Sequence, residues 1–457
     1  HLVIIDGKEE QPANQARHIY REKMDGAVGI LRIASLEMYL ARYESGKSNI
    51  YLNGIALREH QAYTFSAGST IRGEKISPIY YSDVVSLFLN RYQEYKISFE
   101  AKHLSYRFPN GKIGLRNIQI AEEGGKLIGL MGASGSGKST LLNVLNGNLK
   151  PSRGKVLING IDVHLQEKEL RGVIGYVPQD DLLIEELTVY QNLYYAARLC
   201  FSQYNEEEID ELVLKTLQSL GISEIKDMRV GNPLQKIISG GQRKRVNIGL
   251  ELLREPAVLF MDEPTSGLSS QDSENILDLL KELSLKGKLI FVVIHQPSSD
   301  IYKMFDKLMI LDVDGYPIYY GNPIEAIVYF KTIANLVDKA DGVCIECGNV
   351  NPEQIFSIIE TKVVNEYGRF TNKRRITPRK WNEFYQNNIE IPKVQTVQEK
   401  PIKTLQAPSR FTQSLIYLTR DLLSKLSNTQ YLVINLLEAP LLALVLAYIL
   451  RYYHIDE

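Results

Sequence analysis

Strand-like apolar runs alternate with helical patterns from about Ile97 to Asn335 and predict an α/β fold built on a parallel sheet. Two further observations place chemistry on that sheet. The stretch GKLIGLMGASGSGKST carries an apolar strand into a glycine-rich loop and then into a helical pattern. Further on, AVLFMDEPTSGL ends a wholly apolar run in two adjacent carboxylates. Such a run suits a central strand buried on both faces.

The 457 residues are enough for two or three domains, and 44% hydrophobic with 23% charged residues is ordinary for globular protein. A net charge of −1 gives no global basic character, so no nucleic-acid partner is expected. The three cysteines, Cys200, Cys344 and Cys347, are too few for a disulfide scaffold and fit a reducing compartment. Cys344 and Cys347 form one CxxC, which reads as a pair of reduced thiols in a capping segment or as half of a zinc site that two chains together would complete. The start, HLVIIDGKEE, has neither a signal-peptide pattern nor an initiator Met, so the chain reads as a segment of something longer.

Taken in order, residues 1–24 read as a polar segment and 25–96 as a small, mostly β domain. GILRIASLEMYLARY, NIYLNGIAL and AYTFSAGSTI give its strands, with turns at Asn53-Gly54 and Gly68-Ser69. The α/β unit covers 97–335, with a helical insert over about 181–254. Within the insert, NEEEIDELVLKTLQSLG is a helix capped by Asn205, with Glu208 at the third position and Gly221 at its end. Residues 336–408 read as a trailing segment and a polar, Pro-dotted linker containing KRRITPRK. Over 409–428, Phe411, Leu415, Leu418, Leu422 and Leu426 recur at helical spacing. That helix fits either a membrane interface or a face of the soluble domain, and its position before the span favours the interface. Residues 431–453 are apolar and long enough to cross a hydrocarbon core, with Glu438 and Asn435 inside. Arg and Lys crowd the N-terminal side of the span, so that side is expected to be cytoplasmic.

The first loop is GxxxxGK[ST], with the strand before it and the helix after it. Gly132, Ala133, Ser134, Gly135, Ser136, Gly137, Lys138, Ser139 and Thr140 form the candidate phosphate cradle. Glycines admit phosphates close to backbone N–H groups, and the helix start is positive. Lys138 neutralises phosphate oxygens, and Ser139 offers a hydroxyl to Mg²⁺. Asp262 is assigned to the metal and Glu263 to the attacking water as general base. A third strand, KLIFVVIHQPS, delivers His295 to the same edge, where open α/β sheets bind ligands. A second anion-binding helix start stands at Ser239-Gly240-Gly241-Gln242, within IISGGQRKRVNIGLELL.

With these motifs in place, residues 97–335 resemble the nucleotide-binding domain of an ATP-binding cassette (ABC) transporter. The resemblance implies a P-loop NTPase with a RecA-like core and a helical subdomain. ISGGQ is similar to the family signature, usually LSGGQ. It implies that Ser239, Gly240, Gly241 and Gln242 of one chain close on the ATP held by a second copy. YVPQDD is similar to the Q-loop, which implies that Gln179 joins Ser139 and Asp262 near Mg²⁺. Tyr106 matches the adenine-stacking aromatic, with Phe108 as a second candidate. SGGQRKRVNIG, GYPIYYGNP and NPEQIF resemble the G-type (White and pleiotropic-drug-resistance) cassettes, whose membrane domain follows the cassette. The implied function is an ATP-hydrolysing exporter subunit in a lipid bilayer. The resemblance implies a membrane domain either beyond residue 457 or on a separate permease. Where the family's D-loop usually ends in Asp, this chain has Ser269.

The N-terminal β domain loosely resembles a forkhead-associated (FHA) domain through NIYLNGIAL and FSAGSTIR. It shows no Gly-Arg and Ser-x-x-His pair for phosphate. A degenerate structural module and a phosphopeptide reader are the two readings; the second would make the chain a membrane-tethered ATPase regulated by phosphopeptides.

Overall fold

The computed structural model describes residues 2–8, 17–21, 24–33, 38–47, 49–52, 55–65, 69–73, 76–88, 97–232, 237–335, 350–364, 370–391, 394, 397, 399, 401 and 405–453. The chain divides into two units. One comprises residues 1–180 and 254–404, the other 181–253 and 405–457.

The first unit opens with a β module. Its strands are β1 (Leu2–Asp6), β2 (Arg17–Tyr20), β3 (Ala27–Ile33), β4 (Met38–Ser45), β5 (Ile50–Leu52), β6 (Ile55–Ala56), β7 (Ala62–Phe65), β8 (Thr70–Gly73) and β9 (Ile76–Tyr80), and helix α1 (Tyr81–Phe88) closes it. The strands form two sheets, ordered β2-β1-β3-β4-β7 and β6-β5-β8-β9. Both contribute to one core that includes Val3, Ile5, Ile30, Ile50, Ile71, Val84 and Phe88. Part of the polar N-terminal segment therefore belongs to the sheet. β1 lies between β2 and β3, and its Val3 and Ile5 are fully buried. The period-2 alternation of LVIID is the physical reason. The expected turn residues Asn53, Gly54 and Gly68 lie outside the described residues.

The α/β part follows with β10 (Ser98–Arg107), β11 (Ile113–Glu123), β12 (Lys126–Gly132), α2 (Lys138–Leu145), β13 (Arg153–Ile158), β14 (Ile161–Asp162) and β15 (Ile174–Val177). The insert holds α3 (Val189–Cys200), α4 (Glu206–Ser219) and α5 (Gly240–Leu252). The chain then continues with β16 (Val258–Asp262), α6 (Ser270–Leu285), β17 (Leu289–Val293), α7 (Ser299–Met304), β18 (Lys307–Asp312), β19 (Tyr316–Gly321) and α8 (Pro323–Ile333). A six-stranded sheet runs β15-β16-β17-β12-β18-β19, and a four-stranded sheet runs β11-β10-β13-β14. The first five strands of the large sheet are parallel, as predicted. Its register aligns Asp262 with Val293 and Gly132 with Leu311. The loops after β12, β15, β16 and β17 therefore leave from one edge. Phe99 joins Phe260 and Phe291 in the core between the two sheets, with ring centroids 5.0–6.1 Å apart.

Residues after α8 hold α9 (Glu353–Ile359), β20 (Lys362–Val364), β21 (Phe370–Arg374) and α10 (Pro378–Asn388). The region read as a solvated linker thus contains a packed helix. Trp381 and Tyr385, one turn apart on α10, are both buried, and Trp381 stands edge-on to Phe330 of α8. Within KRRITPRK, Arg374 pairs with the buried Asp312 at 2.7 Å. Cys344 and Cys347 lie outside the described residues.

The second unit contains α3–α5 with α11 (Arg410–Ser427) and α12 (Thr429–Tyr453). α4 has the predicted Asn205–Glu208 capping box, and Gly221 follows it at a positive φ of 63°. On α11 only Ile416 is buried; Phe411, Leu415, Leu418, Leu422 and Leu426 are exposed. Ser424 and Asn428 both donate to Glu186 at 3.1 Å, which fastens the end of α11 to the insert. Among the described residues one helix, Thr429–Arg451, is long and apolar enough to cross a membrane. Inside it, Asn435 donates its side-chain amide to the Tyr431 carbonyl at 2.8 Å, a bond within its own helix.

Candidate functional site

The sheet edge gathers most of the predicted chemistry. β12 ends at Gly132, whose φ of 155° only glycine adopts readily. A Cβ there would lie 2.3 Å from the Leu311 carbonyl oxygen. Gly137 starts α2 in the left-handed region (φ 99°), and no side chain caps that helix. Its first N–H groups point toward the loop and suit an anion. Ser136 is fully buried, and its Oγ has no hydrogen-bond partner.

Lys138 folds over the loop and donates to the carbonyls of Gly132 (2.9 Å) and Ala133 (3.1 Å). Burial lowers its pKa, opposed by the carboxylates of Glu263 and Asp262. Asp262, at the end of β16, accepts from Ser139 Oγ at 3.2 Å. Burial raises its pKa, and the nearby Glu263 adds to this, while Ser139 and Lys138 oppose it. Both groups are pushed toward their neutral forms. A phosphate beside Lys138 and a cation beside Asp262 would reverse both shifts. The hydroxyl of Ser139 and the carboxylate of Asp262 are hard oxygen donors, as Mg²⁺ requires. Among the described residues no cluster of three or more His, Cys, Asp or Glu could hold a metal by itself.

Gln179, just beyond β15, donates to Glu263 Oε2 at 3.2 Å. Glu263 has a positive φ of 46°, as does Gln296 (45°), the residue after His295. Non-glycine residues held there mark backbone kept out of its usual wells, which is common at reactive loops. A cleft of about 370 Å³ is lined by Phe108, Lys112, Ser134, Gly135, Gly137–Thr140, Glu263, His295 and Asp314. Phe108 lines this cleft; Tyr106 packs against the core and meets the Phe108 ring edge-on at 5.1 Å.

The signature motif lies in the second unit. Ser239 caps α5 by accepting from the Gln242 N–H at 3.1 Å, and Gln242 accepts in return from the Ser239 N–H at 2.9 Å. Gly240 and Gly241 form the first turn behind that cap. The basic run after it has a structural partner. Arg243 and Lys244 both pair with Asp181, at 2.8 and 3.1 Å, and Arg245 donates to the Leu220 carbonyl. Gly249 permits close packing, because a Cβ there would stand 2.8 Å from Leu220 and 3.1 Å from Leu193. No local pattern marks Asp181 in the sequence, whereas S-x-x-Q before a helix does signal the capping box. Ser269 is the N-cap of α6, accepting from the Asp272 N–H at 3.1 Å and donating to its carboxylate at 2.8 Å.

Residues 115–266 match the family model of the ABC transporter. "ABC transporter G family member 14" of Arabidopsis thaliana is 37% identical over 260 residues, covering 53% of this chain and 39% of that protein. "ABC-type transporter claG" of Penicillium crustosum is 40% identical over 208 residues, covering 45% of this chain and 28% of that protein. The match thus spans well under half the length of these relatives. Among solved structures, cbiO1 from Clostridium perfringens, part of the ABC transporter complex cbiONQ, is 30% identical. It aligns over 53% of this chain and 94% of its own with a TM-score of 0.46.

Proposed function

We propose that this chain is the ATP-hydrolysing, energy-coupling subunit of a membrane exporter, a reading supported by its match to the ABC transporter model over residues 115–266 and its likeness to G-family members. Two copies would pair, each supplying one phosphate loop and one Ser239–Gln242 helix start. ATP would close the pair, and hydrolysis would reopen it, moving attached membrane helices between two access states.

The observation that carries this reading is the convergence of Lys138, Ser139, Asp262, Glu263, Gln179 and His295 on one sheet edge. Lys138 leaves its two carbonyl partners for the phosphates. Ser139 and Asp262, with Gln179, would hold Mg²⁺, which would supply charge neutralisation for the phosphates. Glu263 takes a proton from the attacking water, with Gln179 fixing its carboxylate. His295 orients that water against the terminal phosphate. Phe108, backed by Tyr106, supports the base.

α12 would span the bilayer as the first helix of a membrane domain, and the exposed leucines of α11 would rest at the lipid interface. Arg410, Arg420 and Lys425 precede the span, and the positive-inside tendency would put that side, with the cassette and the β module, in the cytoplasm. The deciding test is Glu263→Gln in the full chain. It should keep nucleotide affinity and lower phosphate release by about 10²–10⁴-fold, the usual worth of a general base. Undiminished release would remove Glu263 from its role.

A further inference from the structure

We infer that Arg72, on the N-terminal β module, is a positioning residue for hydrolysis: it ties together α6 and α7, the helices that follow the Glu263 and His295 loops. Its guanidinium hydrogen-bonds the carboxylate of Glu274 on α6 and stands 3.7 Å from that of Asp300 on α7. The contact is supported by α1, which packs against α6.

The placement of those two helices gives the contact its meaning. α6 starts at its cap Ser269, six residues after Glu263, and α7 starts at its cap Ser298, three residues after His295. Glu274 and Asp300 lie near the beginnings of these helices, so a shift there reaches the catalytic loops through a few residues of chain. The two carboxylates also repel one another. Glu274 is only 7% exposed. Burial pushes its pKa up and Asp300 adds to this, while Arg72 opposes both. With Arg72 gone, two like charges face each other with a buried member, and the helices relieve the strain by separating. The phosphate loop and α2 make none of these contacts. Arg72 therefore acts on the alignment of Glu263 and His295 with the water, and not on nucleotide affinity. A displacement near 1 Å at reacting groups costs about 10²-fold in rate, so a fraction of that shift suffices for a measurable loss.

The test uses the full chain in lipid nanodiscs, with steady-state phosphate release across ATP concentrations and binding of a fluorescent ATP analogue. Arg72→Glu should lower kcat about tenfold while KM and analogue affinity stay within about twofold. Combining Arg72→Glu with Glu274→Arg restores a salt bridge of opposite polarity and should recover most of the lost kcat. A merely structural contact would lower the fraction of binding-competent chain and leave kcat per bound nucleotide unchanged; that result overturns the inference. A double variant no faster than Arg72→Glu alone also overturns it. If Arg72→Glu does not fold, the neutral Arg72→Gln is judged by the same split between kcat and KM. The inference rests on the hydrolytic reading above. A wild-type chain without ATPase activity would remove both, whereas wild-type turnover untouched by the Arg72 variants removes only the role of Arg72.

Discussion

Two helices of this chain begin with glycine-rich, anion-ready turns, and they finish those turns in opposite ways. α2 starts at Gly137 with no side-chain cap, so its first N–H groups are left for a ligand. α5 starts at Ser239 inside a reciprocal capping box, so two of its donors are already satisfied within the chain. Lys138 sits beside the first turn, where burial lowers its pKa against the pull of Glu263 and Asp262. Around the second, the cations are occupied: Arg243 and Lys244 are held by Asp181. The first turn leaves its donors open to an anion, whereas the second satisfies its own and offers shape with few to spare. Substitutions in the first should therefore act on nucleotide affinity, and substitutions in the second on turnover.

Lys138→Ala tests the first half and should give the largest effect on affinity. It removes a charge-assisted bond of about 1.5–3 kcal/mol, so the affinity for a fluorescent ATP analogue should fall about 10- to 150-fold. Unchanged affinity would break the comparison, since the uncapped turn would then not be the phosphate site. Ser239→Ala tests the second half. Loss of the cap should lower helix stability by about 1 kcal/mol, read as a small drop in melting temperature. Analogue affinity should hold, while turnover of the full chain falls about tenfold, the equivalent of one lost hydrogen bond to a charged group. A parallel fall in affinity would show the two turns to be alike.

Much of the sheet-edge site was legible in the sequence because its parts are local. A buried parallel strand must be an unbroken apolar run, so a Lys, a carboxylate pair or a His standing just past such a run is visible at once. The strand order, with β17 between β12 and β16, brings those ends together but changes none of them. Other features depend on partners distant in sequence. Asp181 reads as one acid among many until α5 folds back to present Arg243 and Lys244. Arg72 meets Glu274 across 202 residues. The short strand LVIID alternates as a strand should, but its polar surroundings hid it, and only pairing with β3 buries Val3 and Ile5. Trp381 and Tyr385 likewise needed α8 and β19 to turn a polar stretch into the packed helix α10. Periodicity reports a face, and it does not report what covers that face.

The smallest expected effect concerns Ser269, where the family pattern has Asp. Here Ser269 caps α6 through its hydroxyl and keeps Asp272 close. Asp is as good an N-cap as Ser, so Ser269→Asp should leave the melting temperature nearly unchanged, with any difference below about 0.5 kcal/mol. It does bring a second carboxylate beside Asp272, a repulsion that an exposed helix start screens well. Turnover should therefore change by less than about threefold, and nucleotide affinity not at all. A larger rise in turnover would show that the missing charge limits communication between the two sites of the proposed pair. A larger fall would show that the Ser269–Asp272 bond itself sets the position of α6. Either result would extend the contrast between the turns of α2 and α5 to a third helix start, capped by a serine like that of α5 yet following the loop that carries Glu263.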